Sequence, residues 1–283
     1  MITRIRQTDF YWGSRTYVMG IINMSPESFS KDGLTEIDVA AEQAKRFVGD
    51  EADILDIGGI STKPGLPEIS EEDELKRVIP VISKISHEVD IPVSVDTYRY
   101  IVAKEALEAG AAIINDQWGL KKEPRLAELA AKNGVPIILM SNQRDIGGYD
   151  AAVGRDTAHY EDVMAIVIGN LRDSIAKAVA AGVPENNIIV DPGIGFGHTW
   201  QQDLEIIRRL RELKTLGKPL LIGTSRKSLI KMVLKTPADD RVEGTAATVA
   251  IGIANGADIV RVHDVKQMVR VSRMTDAIFR TGI

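Results

Sequence analysis

Cysteine is absent from the 283 residues, so disulfides, thiolate catalysis and cysteine-ligated zinc are excluded outright. Histidine is scarce, with four in the chain. His87 and His159 fall on predicted helix surfaces and His198 in a predicted loop, so no protein-only zinc or iron cage is readable. No apolar run approaches the roughly 20 residues needed to span a bilayer. The opening Met1-Ile-Thr-Arg-Ile-Arg-Gln7 lacks the apolar core of a signal peptide, and a soluble cytoplasmic protein is expected. Excess positive charge is missing too. The formal net charge is −5, so neither nucleic acid nor an anionic membrane is expected as a partner. An anionic substrate would have to be held by a local basic site.

What is present is a rhythm without a linker or a composition break. Short β-rich apolar runs end in polar or glycine residues, and amphipathic helical stretches follow. The runs are Tyr17–Met24, Asp53–Ile57, Pro92–Val95, Ala111–Asn115, Pro136–Met140, Ile188–Asp191, Pro219–Gly223 and Ala257–Arg261. Continuous apolar runs of this length suit parallel strands buried on both faces. Between them, Ser70 and Asp73 resemble a capping box, followed by Leu75, Val78, Ile79 and Ile82 at helical spacing, with a kink expected at Pro80. Gly110, Gly134 and Gly182 stop other helices just before the next strand. Eight strands alternating with helices, in a chain with 44% hydrophobic residues, predict one domain over 1–283, an α/β fold of the single (β/α)8 TIM-barrel type. Residues 1–16 precede the first strand and are expected to form a small hairpin closing the barrel's bottom.

In such a barrel, chemistry sits at the C-terminal strand ends. The residues there are Asn23, Asp56, Asp96, Asn115, Ser141 with Asn142, Asp191, Lys227, and Arg261 with His263. One aspartate alone reads equally well as a cap or turn residue; the whole set in phase with the strands does not. Asp96, Asn115 and Asp191 combine carboxylates and an amide on what read as neighbouring strands, which suits a flat heterocycle with an aminopyrimidinone edge. Arg261 suits a phosphate oxygen, and if its strand ends there, both Arg261 and His263 can turn towards the mouth.

Asp191-Pro-Gly-Ile-Gly-Phe-Gly197 is a glycine-rich turn without the dinucleotide spacing. Its alternate glycines would let the backbone pass close to a ligand, with Phe196 offering a ring face. Gly223-Thr-Ser-Arg-Lys-Ser228 opens a helix. Lys227 opposes the dipole there, while the free N–H groups with Ser228 would receive a carboxylate or phosphate. Two long loops, Ser25-Pro-Glu-Ser-Phe-Ser-Lys-Asp-Gly33 and Gly58-Gly-Ile-Ser-Thr-Lys-Pro-Gly65, read either as solvated loops or as lids that keep water from a reactive intermediate.

Seven segments, in order along the chain, resemble the dihydropteroate synthases. They are Met19-Gly-Ile-Ile-Asn-Met-Ser-Pro-Glu-Ser-Phe-Ser30, Asp56-Ile-Gly-Gly-Ile-Ser-Thr-Lys-Pro-Gly65, Ser94-Val-Asp-Thr97, Ile113-Ile-Asn-Asp116, Asp191 to Gly197, Ser225-Arg-Lys-Ser228 and Val260-Arg-Val-His-Asp264. The resemblance implies condensation of 6-hydroxymethyl-7,8-dihydropterin diphosphate with p-aminobenzoate, diphosphate leaving first. It implies that Asp96, Asn115, Asp191 and Lys227 hold the pterin, with Asp96, Asp191 and Lys227 catalytic. Asn23, Thr62, Arg261 and His263 would bind diphosphate, Asn23 also serving Mg2+. Ser61, Thr62, Lys63, Phe196, Lys227 and Ser228 would line the p-aminobenzoate pocket, and Phe29 and Asp32 would belong to the lids. A homodimer through the last helices is implied as well.

The chain departs from the family pattern in places. Ile60 and Lys63 stand where the second loop usually carries Glu and Arg, Ser141 where the fifth strand ends in His, and His198 where Lys follows Phe-Gly. Lys lacks the planar fork of Arg. The loop departures read either as drift or as a device that separates p-aminobenzoate from bulkier sulfonamides. Two rivals stand beside the synthase. One is a methyltransferase acting on a methylated folate, which the loops and the Ser-Arg-Lys-Ser segment disfavour. The other is a barrel that has lost its reaction, which the intact polar set disfavours.

Overall fold

A computed structural model describes residues 1–25, 33–60, 69–144, 149–150, 155–156 and 158–280. Every predicted barrel strand is present: β3 Tyr17–Asn23, β4 Ile54–Gly58, β5 Val93–Asp96, β6 Ile113–Asp116, β7 Ile137–Met140, β10 Ile188–Asp191, β11 Leu221–Ile222 and β12 Ile259–Val262. Neighbours in chain order pair in parallel, and β12 pairs back onto β3. The ring closes between β10 and β11 at one bridge, Val190 to Leu220, with Val190 N donating to Pro219 O at 3.0 Å. This is a single (β/α)8 TIM barrel.

Helices fill each crossover: α1 Ile37–Gly49, α2 Glu71–Glu88, α3 Tyr100–Glu108, α4 Arg125–Asn133, α5 Val163–Ala180, α6 Trp200–Arg208, then α7 Ser228–Leu234 with α8 Val242–Ala254, and α9 Val265–Phe279. Ser70 caps α2 by accepting from Asp73 N at 3.0 Å, and the helix runs unbroken through Pro80. Gly134 ends α4 at φ 65°, where an L side chain would be strained. His159 lies in irregular chain before α5 and not on a helix surface, because Asp162 caps α5 and sets its start at Val163. A short ladder between β8 Tyr149–Asp150 and β9 Arg155–Asp156 decorates the connection after β7.

Ahead of the barrel strands, β1 Ile2–Ile5 pairs antiparallel with β2 Thr8–Tyr11 as an N-terminal hairpin. Its Ile5 and Phe10 join Tyr17, Met19, Ile54, Ile113, Ile138, Ile189, Leu221 and Ile259 in one buried cluster. These strand residues come from the lower ends of the strands, so the hairpin plugs the barrel floor with apolar side chains. A second apolar layer fills the space between strands and helices, from Val18, Ile22 and Leu55 outward. Strand side chains alternate between the two.

Candidate active site

The period of two that builds the apolar floor also builds the site. Two residues beyond Met19, Ile113, Ile138, Ile189, Leu221 and Ile259 stand Ile21, Asn115, Met140, Asp191, Gly223 and Arg261, all lining one cleft. Another step along two strands adds Asn23 and His263. Asp96, Lys227 and Phe196 complete the walls, with Ser25, Ile60, Gln117 and Ser225 at the edges. The cleft encloses about 730 Å³ including its open mouth. Arg261 and His263 both face it although β12 runs on to Val262, because residues two apart on a strand share a face.

An ion network crosses the cleft floor. Asp56, fully buried, accepts from Arg261 Nε at 2.5 Å and from Asn115 Nδ2 at 3.1 Å through the same oxygen. Arg261 Nη2 reaches Asp96 Oδ2 at 2.7 Å. Arg261 thus braces two carboxylates before it meets any ligand, with two of its five N–H groups engaged in these bonds. The remaining oxygens, Asp56 Oδ1 and Asp96 Oδ1, are buried without a hydrogen-bond donor among the described residues. Unsatisfied buried acceptors call for a ligand or another explanation. Asp56 stood in phase with the strands in the sequence but had no assigned role; its partner Arg261 lies 205 residues away.

Burial raises the Asp96 pKa above the carboxylate range; the charge on Arg261 offsets this in part and that on Asp56 adds to it. Burial raises Asp191 as well, against the pull of Lys227. Lys227 is pushed down to about 8 by burial, with Asp191 opposing and Arg261 assisting. Burial works against the Arg261 charge, but Asp56 and Asp96 outweigh it and raise its pKa. These groups hold one another in charge states that the cleft alone would not support.

Asp191 does not stand beside Asn115, as expected from the sequence; β7 lies between their strands. Its Oδ1 accepts from Gly193 N at 2.7 Å, which leaves Oδ2 for the cleft. The glycine turn that follows approaches protein, not ligand space. A Cβ on Gly193 would stand 1.9 Å from Ser141 O, and one on Gly197 2.6 Å from Gln143 C. Ser141 N donates to Asp191 O at 2.9 Å and Gln143 N to Phe196 O at 3.0 Å, locking this turn to the connection after β7. Phe196 is thereby turned into the cleft wall, where Lys227 Nζ stands 4.7 Å from its ring centroid and donates to Ile194 O at 2.5 Å.

On the opposite side, His263 N and Nδ1 meet Ser225 Oγ at 3.2 and 2.8 Å. Arg226 pairs with Asp264 at 2.6 Å and fixes this corner. Asn23 closes β3 and brings its amide to the same wall. Ser228 is exposed at the start of α7 and does not line the cleft. His198, a loop residue in the sequence, is buried with Nδ1 3.6 Å from Asp203 Oδ1. Ser61, Thr62, Lys63, Phe29 and Asp32 lie outside the described residues. Among the described residues, no group of three or more His, Asp or Glu could hold a metal on its own, and no helix is long and apolar enough to cross a membrane.

Residues 19–263 match a family described as pterin binding enzyme. A dihydropteroate synthase of Clostridium beijerinckii is 47% identical over 98% of this chain and 99% of its own. One from Bacillus subtilis is 47% identical over 95% and 90%. Among solved structures, a dihydropteroate synthase of Clostridium difficile crystallised in the presence of pteroic acid is 45% identical, with a TM-score of 0.87 over 96% of this chain and 100% of that one. A Yersinia pestis dihydropteroate synthase in complex with a sulfonamide drug is 38% identical, with a TM-score of 0.91 over 98% of both chains.

Proposed function

The chain belongs to the pterin-binding enzymes and, within them, to the dihydropteroate synthase family, and from that premise we propose that it joins 6-hydroxymethyl-7,8-dihydropterin diphosphate to p-aminobenzoate, giving 7,8-dihydropteroate and diphosphate. The observation that carries this reading is one cleft in which two buried carboxylates, Asp56 and Asp191, and the half-buried Asp96 meet two cations, Arg261 and Lys227.

The chemistry follows from the charges. The pterin lies against Asp96, Asn115 and Asp191, whose acceptors take its ring N–H groups, and Lys227 donates to its far edge. The methylene C–O bond breaks and its electron pair leaves with the diphosphate, which Asn23, His263 and the remaining N–H groups of Arg261 receive. Carboxylates around the ring stabilise the cation left behind. The aniline nitrogen then gives its lone pair to the methylene carbon and loses a proton; neutral at pH 7, it needs no strong general base. Phe196 and Lys227 form the aniline's wall, with Ser61, Thr62 and Lys63 assigned to its carboxylate end by family resemblance. This dissociative order is part of the proposal.

Asn23 offers a hard oxygen at the diphosphate side, with Ser25 beside it. That donor set is too small for an all-protein cage but fits an Mg2+ completed by substrate phosphate oxygens and water. When bound there, the ion would neutralise charge on the leaving diphosphate. A homodimer through the last helices is also proposed, supported by exposed Val233 and Leu234 on α7, Ile251 on α8, and Met274, Ile278 and Phe279 on α9.

An assay with pterin diphosphate and p-aminobenzoate tests the function. Release of diphosphate with formation of dihydropteroate supports it. Methyl transfer from a methylated folate, or no reaction by folded protein, would overturn it.

A further inference from the structure

Phe196 carries two cations, not one. Arg144 Cζ stands 4.6 Å from its ring centroid and Lys227 Nζ 4.7 Å. Lys227 comes from the connection after β11 and Arg144 from the connection after β7, so opposite sides of the glycine turn supply them. Arg144 Nη2 also donates to Gly195 O at 2.7 Å, and its backbone N–H is held by Asn142 Oδ1 at 3.0 Å. With Gln143 N on Phe196 O, residues 142–144 clamp the tip of the turn from one side, while Lys227 on Ile194 O clamps it from the other.

Each cation is attracted by the ring face, yet two like charges near one ring repel each other. The charged groups facing Lys227 are Asp191 and Asp203, which favour its ammonium, and Arg261 and Arg144, which oppose it. His198 adds a titratable ring against Asp203, at 3.6 Å. Arg144 itself does not line the cleft. It can act on a substrate there through the ring it holds and the lysine it repels.

We propose that Arg144 is a positioning residue for the p-aminobenzoate half of the reaction, fixing the Phe196 ring that forms the aniline's wall and setting the charge balance at Lys227. This rests on the function proposed above. The arrangement favours an aniline bearing an anionic group, because its ring wall is backed by positive charge on both sides of the turn. Burial is the main cause that holds Lys227 near 8 although two carboxylates face it, and Arg261 and then Arg144 add to it.

The test compares full-length wild type, Arg144→Met and Arg144→Lys in steady state with both substrates, from about pH 6.5 to 9.5. Arg144→Met should raise KM for p-aminobenzoate about tenfold while KM for pterin diphosphate stays within about twofold. Its alkaline limb should move to higher pH by about half a unit, because a repelling charge is gone. Arg144→Lys should restore the limb but not the KM, since it keeps the charge and loses the fork. An unmoved limb in Arg144→Met, or parallel rises in both KM values, overturns the proposal. The pH dependence of Lys227 acylation, read by mass spectrometry, needs no turnover. If wild type releases no diphosphate, the functional reading fails, and identical labelling profiles in wild type and Arg144→Met would then overturn the role of Arg144 separately.

Discussion

At the lower end of the barrel, Met19, Ile54, Ile113, Ile138, Ile189, Leu221 and Ile259 close on Ile5 and Phe10 with almost no exposure. One step of the pleat higher, the same strands carry Asp56, Asn115, Asp191 and Arg261, and there Asp56 Oδ1 and Asp96 Oδ1 lack a donor among the described residues. The lower layer is bonded by shape and needs nothing from outside. The upper layer removes charges from water, which is destabilising unless every partner is present. A barrel of this kind separates the two tasks by two residues of strand. The floor holds the ring closed so that the upper layer can remain incompletely satisfied until a ligand arrives.

The largest effect should come from breaking the floor. Phe10→Ala should lower unfolding stability by about 3–5 kcal/mol, since it empties a fully buried aromatic site. Denaturant titration measures that loss, and kcat/KM of the folded fraction should be unchanged. A parallel loss of kcat/KM would mean that floor and site are not separate.

The upper layer should show the reverse conflict in its response to pH. The Lys227 pKa is lowered to about 8 in the folded protein, against about 10.4 in an unfolded chain. Between those values the unfolded chain binds more protons, so this group's contribution to stability rises with pH. Turnover needs the ammonium and should fall about tenfold per pH unit above the limb. Thermal melts and pH–rate profiles on one preparation check both slopes; slopes of the same sign would contradict the assignment of Lys227.

His263→Ala should weaken diphosphate binding about tenfold, the size of one lost charge-assisted contact, and leave pterin binding nearly intact. Calorimetry with the two ligands separately gives the comparison. Equal losses would make the residue structural, through its contact with Ser225. The smallest effect concerns two positions: Ile60, which lines the cleft, and Lys63, which lies outside the described residues. Restoring Glu and Arg there should lower the sulfonamide inhibition constant while KM for p-aminobenzoate changes by no more than about threefold, if the loop separates two similar anilines. Constants that move together, or not at all, leave only drift as the explanation.

Much of this was legible before the structure. Buried parallel strands write themselves as continuous apolar runs, so all eight appear in the sequence, with ends displaced by one or two residues where pairing decides. The last strand starts at Ile259 and not Ala257, because its parallel pairing begins where Ile259 meets Tyr17. The polar ring was legible for the same reason, being in phase with the strands. Partnerships were not. Nothing local tells that Asp56 shares Arg261 with Asp96, since those three come from three strands far apart in the chain. Arg144 is out of phase with any strand, and two of the alternate glycines, Gly193 and Gly197, make room for the backbone of Ser141 and Gln143, which the sequence does not show.

The most direct test of the upper layer as a pterin site is Asp191→Asn. Asp191 Oδ1 is already taken by Gly193 N, so the amide would keep its oxygen there and turn an N–H2 donor into the cleft, where the pterin also presents donors. Dihydropteroate and diphosphate should form in equal amounts with the wild type. In the variant kcat/KM for pterin diphosphate should fall at least about a hundredfold, the result of replacing an acceptor by a donor at a buried contact, with an unchanged melting temperature. A variant that melts normally and turns over at the wild-type rate would contradict the account.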